Sequence, residues 1–274
     1  GRFFGLINPS LFSLTKKTDV LVVFGHHYFS LFFATLWGRI LGKKVVVSTD
    51  AITLGSSTIK SQIKKILFPI WYKLIPDQII VPSNTSELFL HNLGIPRSKI
   101  SITPYASDEE FLLSQSKEPS ARNIREMLGI DPESFVALTV AKMIERKNLS
   151  LLIKAWTQLP NDRHLIMVGD GPLRKELEEL AANRANIHFA GLIQYQSLPS
   201  YYSSSDILIH PAKHEPWGLP INEAMILGKP VIASDAVGAA KDLIVDTVTG
   251  WTFKSDNLED LINVINKAEH NRDK

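Results

Sequence analysis

Short runs of β-branched and other apolar residues alternate along the chain with longer segments in which apolar residues recur at helical spacing. The short runs have the length of strands and the longer segments that of helices. Strands are predicted over 19–24, 44–48, 77–82, 99–102, 135–140, 164–168, 186–190, 206–210, 231–234 and 251–253. The clearest helices are predicted over 28–41, 59–75 and 84–93. This alternation is typical of parallel sheets covered by helices, so the predicted fold class is α/β.

The predicted strands fall into two groups, separated by a polar stretch at 103–120 that contains two prolines and has no clear period. Such a stretch is typical of a linker between domains. Six strands follow it, enough for a complete doubly wound sheet, whereas the four before it form only part of one. We therefore expect a partial N-terminal domain at 1–105, a linker at 106–120 and a C-terminal domain at 121–274.

Composition narrows the classes of function. The 274 residues are 45% hydrophobic, and the net charge of +2 is too balanced for a nucleic-acid-binding protein. The chain has no cysteine, which excludes disulfides and cysteine chemistry and fits a cytoplasmic protein. No HExxH motif or cluster of histidines and carboxylates predicts a metal site. The apolar stretch 20–41 is interrupted at Gly25, His26 and His27, so it predicts a strand, a turn and a buried helix rather than a membrane span.

Two carboxylates, Glu215 and Glu223, lie eight positions apart in HEPWGLPINEAMILGKPVIASD. Pro220 is suited to the first turn of a helix and Gly228 to its end, so a short helix is predicted over 220–227. On this helix Glu223 shares a face with apolar residues and needs a partner there. Glu215 precedes the helix, near the positive end of its dipole. The segment thus predicts a site for a polar, partly anionic ligand.

A basic cluster follows the predicted strand 135–140, and its members are Lys142, Arg146 and Lys147. Cations at the carboxyl end of a parallel strand can neutralise a diphosphate, although a solvated turn has the same appearance. Gly169 and Gly171 also follow a strand, but the third glycine and the acidic residue of a dinucleotide site are missing. Their predicted role is a tight turn that allows close approach of the backbone.

Other candidates have ordinary structural interpretations. Histidines at strand ends are expected to be hydrogen-bonded structural residues, and no Ser/His/Asp arrangement or GxSxG motif predicts a hydrolase. The segment 59–75 combines apolar residues with lysines. It predicts either a helix that packs on the sheet or a helix that also lies on an anionic membrane surface.

The segments AKMIERKNLSLLIKAW, LIMVGDGPLRKELEEL, YYSSSDILIHPA and HEPWGLPINEAMILGKPVIASD, in this order, resemble the retaining nucleotide-sugar glycosyltransferases of family 4. The most specific element is the pair of glutamates with seven residues between them. The resemblance implies a GT-B fold, in which two Rossmann-like domains face a cleft, with the N-terminal domain incomplete here and both ends of the chain truncated. It implies metal-independent transfer of a sugar, without a cofactor, from a nucleoside diphosphate sugar to a glycan or lipid-linked acceptor in polysaccharide biosynthesis.

The resemblance also implies roles for individual residues. Glu215 would contact the transferred sugar, while Lys142 and Lys147 would hold the diphosphate and stabilise its growing negative charge. Glu223 would bind the ribose hydroxyls. The residues implied to bind substrate are Glu223, Gly218, Leu219, Trp217, Gly171 and Leu192. In the first domain, Thr49 and Asp50 replace a histidine that many members of the family carry.

Two alternatives about function stay open on the sequence. The same architecture serves nucleotide-sugar 2-epimerases, and a non-catalytic nucleotide-sugar-binding module would share the same motifs. The location expected is the cytoplasm, with peripheral contact at the inner face of the membrane through 59–75.

Overall fold

A computed structural model describes residues 8–25, 28–53, 59–116, 123–182 and 184–271. The chain divides into two compact units, Gly1–Pro104 and Tyr105–Lys274. Both units contain a parallel sheet, and each of the ten predicted strands is present to within one residue at either end. The predicted α/β class is therefore confirmed.

The first unit holds a four-stranded sheet in the order β1-β2-β3-β4. Its strands are β1 (Val20–Phe24), β2 (Lys44–Ser48), β3 (Gln78–Val81) and β4 (Ile100–Ile102). Its helices are α1 (Ser10–Lys16), α2 (Phe29–Ile40), α3 (Ile59–Leu74) and α4 (Asn84–Asn92). The core forms around the two central strands, where Val47 and Ile79 are fully buried. Parallel strands that are covered by helices are apolar on both faces, which explains the continuous apolar runs in the sequence.

Helix α3 has apolar residues on more than one side. Trp71 and Tyr72 are buried in the core of the first unit, as a helix packed on the sheet requires. Four further apolar side chains of α3 are about half exposed or more, namely Ile66, Leu67, Ile70 and Leu74. Packing on the sheet thus accounts for only part of the apolar surface of α3. Among the described helices, neither α3 nor any other is long and apolar enough to cross a membrane.

The second unit holds a six-stranded parallel sheet in the order β10-β9-β8-β5-β6-β7. Its strands are β5 (Val136–Val140), β6 (His164–Val168), β7 (Ile187–Gly191), β8 (Ile207–His210), β9 (Val231–Ser234) and β10 (Gly250–Phe253). Its helices are α5 (Glu109–Ser116), α6 (Asn123–Met127), α7 (Leu149–Trp156), α8 (Arg174–Leu180), α9 (Leu198–Ser203), α10 (Leu219–Ile226), α11 (Gly238–Leu243) and α12 (Leu258–His270).

Helices cover both faces of this sheet. Successive residues of β5 alternate between two buried clusters: Ala137 belongs to the cluster that contains Trp156 of α7, whereas Leu138 belongs to the cluster that contains Tyr202 of α9. The period of two along a strand sends neighbouring side chains to opposite faces, so each face acquires its own apolar core. The second sheet is therefore doubly wound, as the sequence predicts.

The order of strands reverses direction between β5 and β8 in the middle of the second sheet. From β5 the chain proceeds outward through β6 and β7, and then returns to β8 on the other side of β5. The loops after β5 and β8 both lie at the carboxyl edge beside this reversal, which is where open α/β sheets bind ligands. These two loops carry the basic cluster and Glu215.

The segment expected to be a linker has more structure than its polar sequence suggests. It contains α5, whose side chain Leu112 is fully buried, and the ring of Phe111 stacks on Tyr195 with centroids 5.2 Å apart. Asp108 Oδ1 accepts a hydrogen bond from the backbone N–H of Phe111 at 3.0 Å and so caps the first turn. At least 109–116 therefore belongs to the second unit, whereas 117–120 lies outside the described residues.

Candidate functional site

The basic cluster lies on a tight turn between β5 and α7. The chain forms a single 3₁₀ turn over Glu145–Lys147 and reverses at Asn148, which has a φ of 53°. Asparagine tolerates this left-handed conformation better than most residues. Asn148 is buried, and α7 begins directly after it. The turn fixes the direction of the Arg146 and Lys147 side chains at the carboxyl edge of the sheet.

Glu215 is the centre of a charged cluster at this edge. Its side-chain oxygen Oε2 accepts hydrogen bonds from Lys147 Nζ and, at 2.9 Å, from Arg146 Nη1. His210 Nε2 lies 3.8 Å from the same oxygen. Residues far apart in sequence are thus brought together because the loops after β5 and β8 meet at the reversal of strand order.

The loop that carries Glu215 is anchored to its neighbour by backbone hydrogen bonds. The N–H of Glu215 donates to the carbonyl of Ala236 at 3.3 Å, and the N–H of Gly238 donates to the carbonyl of Glu215 at 2.9 Å. Two residues later, the N–H of Ala239 donates to the carbonyl of Trp217 at 2.9 Å. These bonds hold the loop in place along the β9–α11 connection, so the position of Glu215 does not depend on the ion pairs alone.

Burial and neighbouring charges shift the pKa values of Glu215 and Lys147 in opposite directions. Burial disfavours ionisation of Glu215, but the neighbouring His210 and Lys147 outweigh it and lower the pKa of Glu215 to about 2. Burial also lowers the pKa of Lys147, and the Glu215 carboxylate opposes this effect. Glu215 is therefore a carboxylate at neutral pH.

His210 ends strand β8 and is fully buried. Neither of its ring nitrogens has a hydrogen-bond partner in the described part of the chain. Burial lowers the pKa of His210, so the ring beside Glu215 is neutral at pH 7. The sequence predicts a structural role for strand-end histidines, and His210 has the Glu215 carboxylate as a close charged neighbour.

Glu223 lies on α10 and is 7% exposed, as expected for a carboxylate on an apolar helix face. Its partner is Tyr202 of α9, whose hydroxyl donates a hydrogen bond to Glu223 Oε2 at 2.6 Å. Burial raises the pKa of Glu223, and the bond from Tyr202 opposes this rise. The predicted need for a partner is thus met by a hydroxyl group.

Helix α10 begins one residue before the predicted start and ends before Gly228. Gly218 stands at its N-terminus with a φ of 110°, a conformation that favours glycine. A Cβ added at Gly218 would lie 3.1 Å from the Val237 side chain, so space is also restricted. Leu219 is 41% exposed at the first helical position, and Pro220 has no N–H to offer a ligand.

Gly169 and Gly171 bring the loop after β6 close to the loop after β5. A Cβ at Gly169 would lie 2.0 Å from the carbonyl oxygen of Ala141, and one at Gly171 would lie 2.5 Å from that of Met143. Backbone hydrogen bonds join the two loops at the same place, including one of 2.9 Å from the N–H of Met143 to Asp170. The predicted role of these glycines in close backbone approach is confirmed.

The other candidate residues occupy different environments. Lys142 is exposed, and within the described residues no salt bridge joins it to Glu215. Leu192 is 75% exposed directly after β7, where a ligand can reach it. Trp217 is 2% exposed and packs in the core, so its ring supports the loop from beneath. His26 and His27 lie outside the described residues.

The structure thus joins Lys147, Glu215 and Arg146 in one cluster and gives Glu223 a separate partner. Arg146 was part of the predicted basic cluster but not one of the expected site residues, while Tyr202 was missed altogether. The sequence signal for Arg146 is its place beside Lys147. Within the residues that the structure describes, no three histidine, aspartate or glutamate side chains are grouped as a metal site would require.

Comparison with known proteins identifies the family. Residues 120–274 match the family described as glycosyl transferases group 1, and this match includes all the charged groups of the cluster. The chain belongs to this family. The matched region contains the whole doubly wound sheet of the second unit and the helices α6–α12.

Individual relatives agree with this family. The chain is 32% identical over 146 residues to the sulfoquinovosyl transferase SQD2 of Arabidopsis thaliana, covering 52% of this chain and 28% of that protein. It is 25% identical over 232 residues to the alpha-D-kanosaminyltransferase of Streptomyces kanamyceticus, covering 80% of this chain and 59% of that protein. The chain therefore spans about a quarter to three fifths of the length of these relatives.

Solved structures agree on the fold. The crystal structure of Anabaena HepE in complex with UDP superposes with a TM-score of 0.83 at 22% identity, covering 96% of this chain and 72% of that one. The two parallel sheets of this chain thus match a GT-B glycosyltransferase structure, which confirms the expected fold.

Proposed function

We propose that the chain takes part in the transfer of a sugar, with retention at the anomeric carbon, from a nucleoside diphosphate donor to a glycan or lipid-linked acceptor. The observation that carries the proposal is the meeting of Lys147 and Glu215 where the strand order of the second sheet reverses. A partly buried cation there suits a diphosphate, and a buried carboxylate suits the hydroxyls of a sugar. Membership of the glycosyl transferases group 1 family supports this reaction class.

Lys147 stabilises the leaving group in this proposal. Negative charge grows on the diphosphate as the bond to the sugar breaks, and a fixed cation favours that change. In the structure the charge of Lys147 is paired with Glu215, and Arg146 contacts the same carboxylate oxygen. Glu215 therefore keeps a cationic partner when Lys147 turns to the diphosphate. Lys142 is exposed and adds positive charge where the diphosphate enters the site.

The donor is held at both ends. Glu223 accepts hydrogen bonds from the ribose hydroxyls, since a carboxylate offers two oxygens to a vicinal diol. Glu215 accepts from the hydroxyls of the sugar. The backbone N–H groups at Gly218 and Leu219 add the positive end of the α10 dipole. Gly171 and Leu192 flank the site on the loops after β6 and β7.

The donor assay separates this function from its two alternatives. Labelled UDP- and GDP-sugars are incubated with the chain, with and without an acceptor extract, and the products are identified by chromatography. Label that moves to an acceptor supports the transferase. Conversion of the donor without an acceptor indicates a 2-epimerase, and tight binding without any conversion indicates a non-catalytic module. Label that stays on the donor, without binding, contradicts all three.

A second proposal concerns the first unit. We infer that α3 contacts the surface of an anionic membrane, which gives access to a lipid-linked acceptor from the cytoplasm. The observation behind it is the row of exposed apolar side chains on α3, which packing on the sheet leaves uncovered. An interfacial helix buries such a face at the lipid boundary, and neighbouring lysines contact anionic headgroups.

Vesicle flotation tests this contact. Ile70 and Leu74 are changed to serine together, and the control is Leu88→Ser on α4, which is exposed to a similar degree. Lys64 and Lys65 changed to glutamate test the electrostatic part. The wild-type chain and the control should float with acidic vesicles, whereas the other two variants should stay in the soluble fraction. A wild-type chain that does not float contradicts the inference.

A further inference from the structure

Tyr202 is buried beneath the carboxylate to which the proposed function assigns the ribose. The residue is fully buried on α9, and its hydroxyl lies 2.6 Å from Glu223 Oε2. Hydrogen bonds from a hydroxyl to an ionised carboxylate are short and stronger than those between neutral groups. This contact joins two helices, α9 and α10, at one point of the buried cluster.

The position of the Tyr202 hydroxyl is fixed by its surroundings. The ring packs in the apolar cluster between α9, α10 and the sheet. The backbone carbonyl of Tyr202 accepts hydrogen bonds from the N–H of Ser205 at 3.1 Å and from the Ser205 hydroxyl at 2.8 Å. A donor held in this way can fix the rotamer of the carboxylate that it contacts.

Glu223 has no cationic partner in the part of the chain that the structure describes. The titratable groups near it are Tyr202 from α9 and Tyr195 from the turn before α9. Because Tyr202 occupies Oε2, the second oxygen, Oε1, is left for another donor. Glu223 thus differs from Glu215, whose charge is balanced by Lys147 and Arg146.

We propose that Tyr202 is a positioning residue for donor binding, because its hydroxyl holds one oxygen of Glu223 and directs the other to the ribose hydroxyls. The inference rests on the proposed function, in which Glu223 binds ribose. Tyr202 itself does not touch the donor. Its hydrogen bond holds the Glu223 side chain in one rotamer before the nucleoside binds, so binding does not have to order that side chain.

The test compares Tyr202→Phe with Tyr201→Phe in calorimetric titrations. Tyr201 is the matched control, since it is 6% exposed on the same helix and no hydrogen bond of its hydroxyl is found within the described residues. The probes are UDP and GDP, each beside its 2′,3′-dideoxy counterpart, and thermal unfolding confirms that each variant is folded. Tyr202→Phe should weaken the affinity for whichever nucleoside diphosphate binds by about tenfold. Tyr201→Phe should leave that affinity unchanged.

The dideoxy probes distinguish positioning from a structural role. They lack the ribose hydroxyls, so Tyr202→Phe should bind them as the wild-type chain does. The pH profile is a second readout. Without the Tyr202 hydroxyl the pKa of Glu223 rises further, so affinity should begin to fall at a higher pH on acidification. Glu223→Gln should remove the effect of a further Tyr202→Phe change.

Four results overturn the inference. Equal affinities of Tyr202→Phe and Tyr201→Phe would show that the hydroxyl contributes nothing to binding, and equal losses for ribose and dideoxy probes would show a structural role only. If Glu223→Gln abolishes binding while Tyr202→Phe does not change it, the inference fails and the proposed function stands. If neither UDP nor GDP binds the wild-type chain, both fail.

Discussion

Replacing Glu215 by glutamine removes the negative charge from a buried cluster while preserving the shape of the side chain. The folded protein lowers the pKa of Glu215 from an ordinary 4.5 to about 2. Such a difference corresponds to about 3 kcal/mol of stability at neutral pH. The variant also leaves the Lys147 ammonium, whose side chain is 11% exposed, without its carboxylate. We therefore expect Glu215→Gln to lower the free energy of unfolding of the second unit by about 3 kcal/mol at pH 7.

The pH dependence of this loss has a definite sign. The folded-state pKa lies below the ordinary value, so the contribution of Glu215 is complete above about pH 4.5. It disappears as the pH falls toward 2, because the carboxylate becomes protonated in the folded state as well. The difference between the wild-type chain and Glu215→Gln should be constant from pH 5 to 8 and should narrow below pH 4.5.

Urea denaturation provides the measurement, and hydrogen exchange of peptides from β5 and β8 assigns the transition to the second unit. The matched control is Glu145→Gln, which makes the same change at an exposed position on the same turn as Lys147. The control should change stability by less than about 0.5 kcal/mol. Two results would contradict the stabilising role of the Glu215 carboxylate. One is a Glu215→Gln variant as stable as the control, and the other is a loss of stability that does not depend on pH below 4.5.

Three further predictions concern catalysis and the loops. Lys147→Met should lower kcat more than it raises KM in steady-state donor kinetics, because charge on the diphosphate is greatest in the transition state; a rise in KM alone would reduce Lys147 to a binding residue. Gly171→Ala should destabilise the second unit by roughly 1–3 kcal/mol in urea denaturation, since its Cβ would lie 2.5 Å from the Met143 carbonyl oxygen, and an unchanged midpoint would contradict this close approach. EDTA should leave glycosyl transfer unchanged, and activity that EDTA abolishes and magnesium restores would overturn the metal-independent mechanism.

The strands could be predicted from sequence because their signal is local. The run HLIMV is buried at four of its five positions, because burial on both faces of a parallel sheet favours apolar residues in a row. In VLVVF, the edge strand of the first sheet, Val23 is buried whereas Val20, Val22 and Phe24 are exposed. Helix α5 was missed for the opposite reason. It buries Leu112 within a polar segment, and its remaining contacts, such as Phe111 on Tyr195, depend on tertiary structure.

The site was predictable in its residue types but not in its pairings. The carboxyl edge of the sheet explains why a basic turn after β5 approaches a carboxylate after β8. Sequence gives no sign, however, that Lys147 and Arg146 contact the same oxygen of Glu215. The hydrogen bond from Tyr202 to Glu223 could not be predicted either, because Tyr202 has the pattern of an ordinary apolar helix residue.

Trp217 shows a further limit. Its place between two candidate site carboxylates suggests a side chain that meets the ligand, yet the ring lies in the core below the loop. Large aromatic side chains in short loops often anchor the loop by burial, because each removes much apolar surface from water. A sequence pattern alone does not distinguish these two orientations.

The most direct test of the proposed donor site is a crystal structure of the chain with the nucleoside diphosphate that binds, either UDP or GDP. The diphosphate should lie within hydrogen-bond distance of Lys147 at the carboxyl edge of the second sheet. The ribose should contact Glu223, with Tyr202 still bonded to the same carboxylate. Electron density for the nucleotide at the amino edge of the sheet, or at the carboxyl edge without contact to either Lys147 or Glu223, would contradict the account.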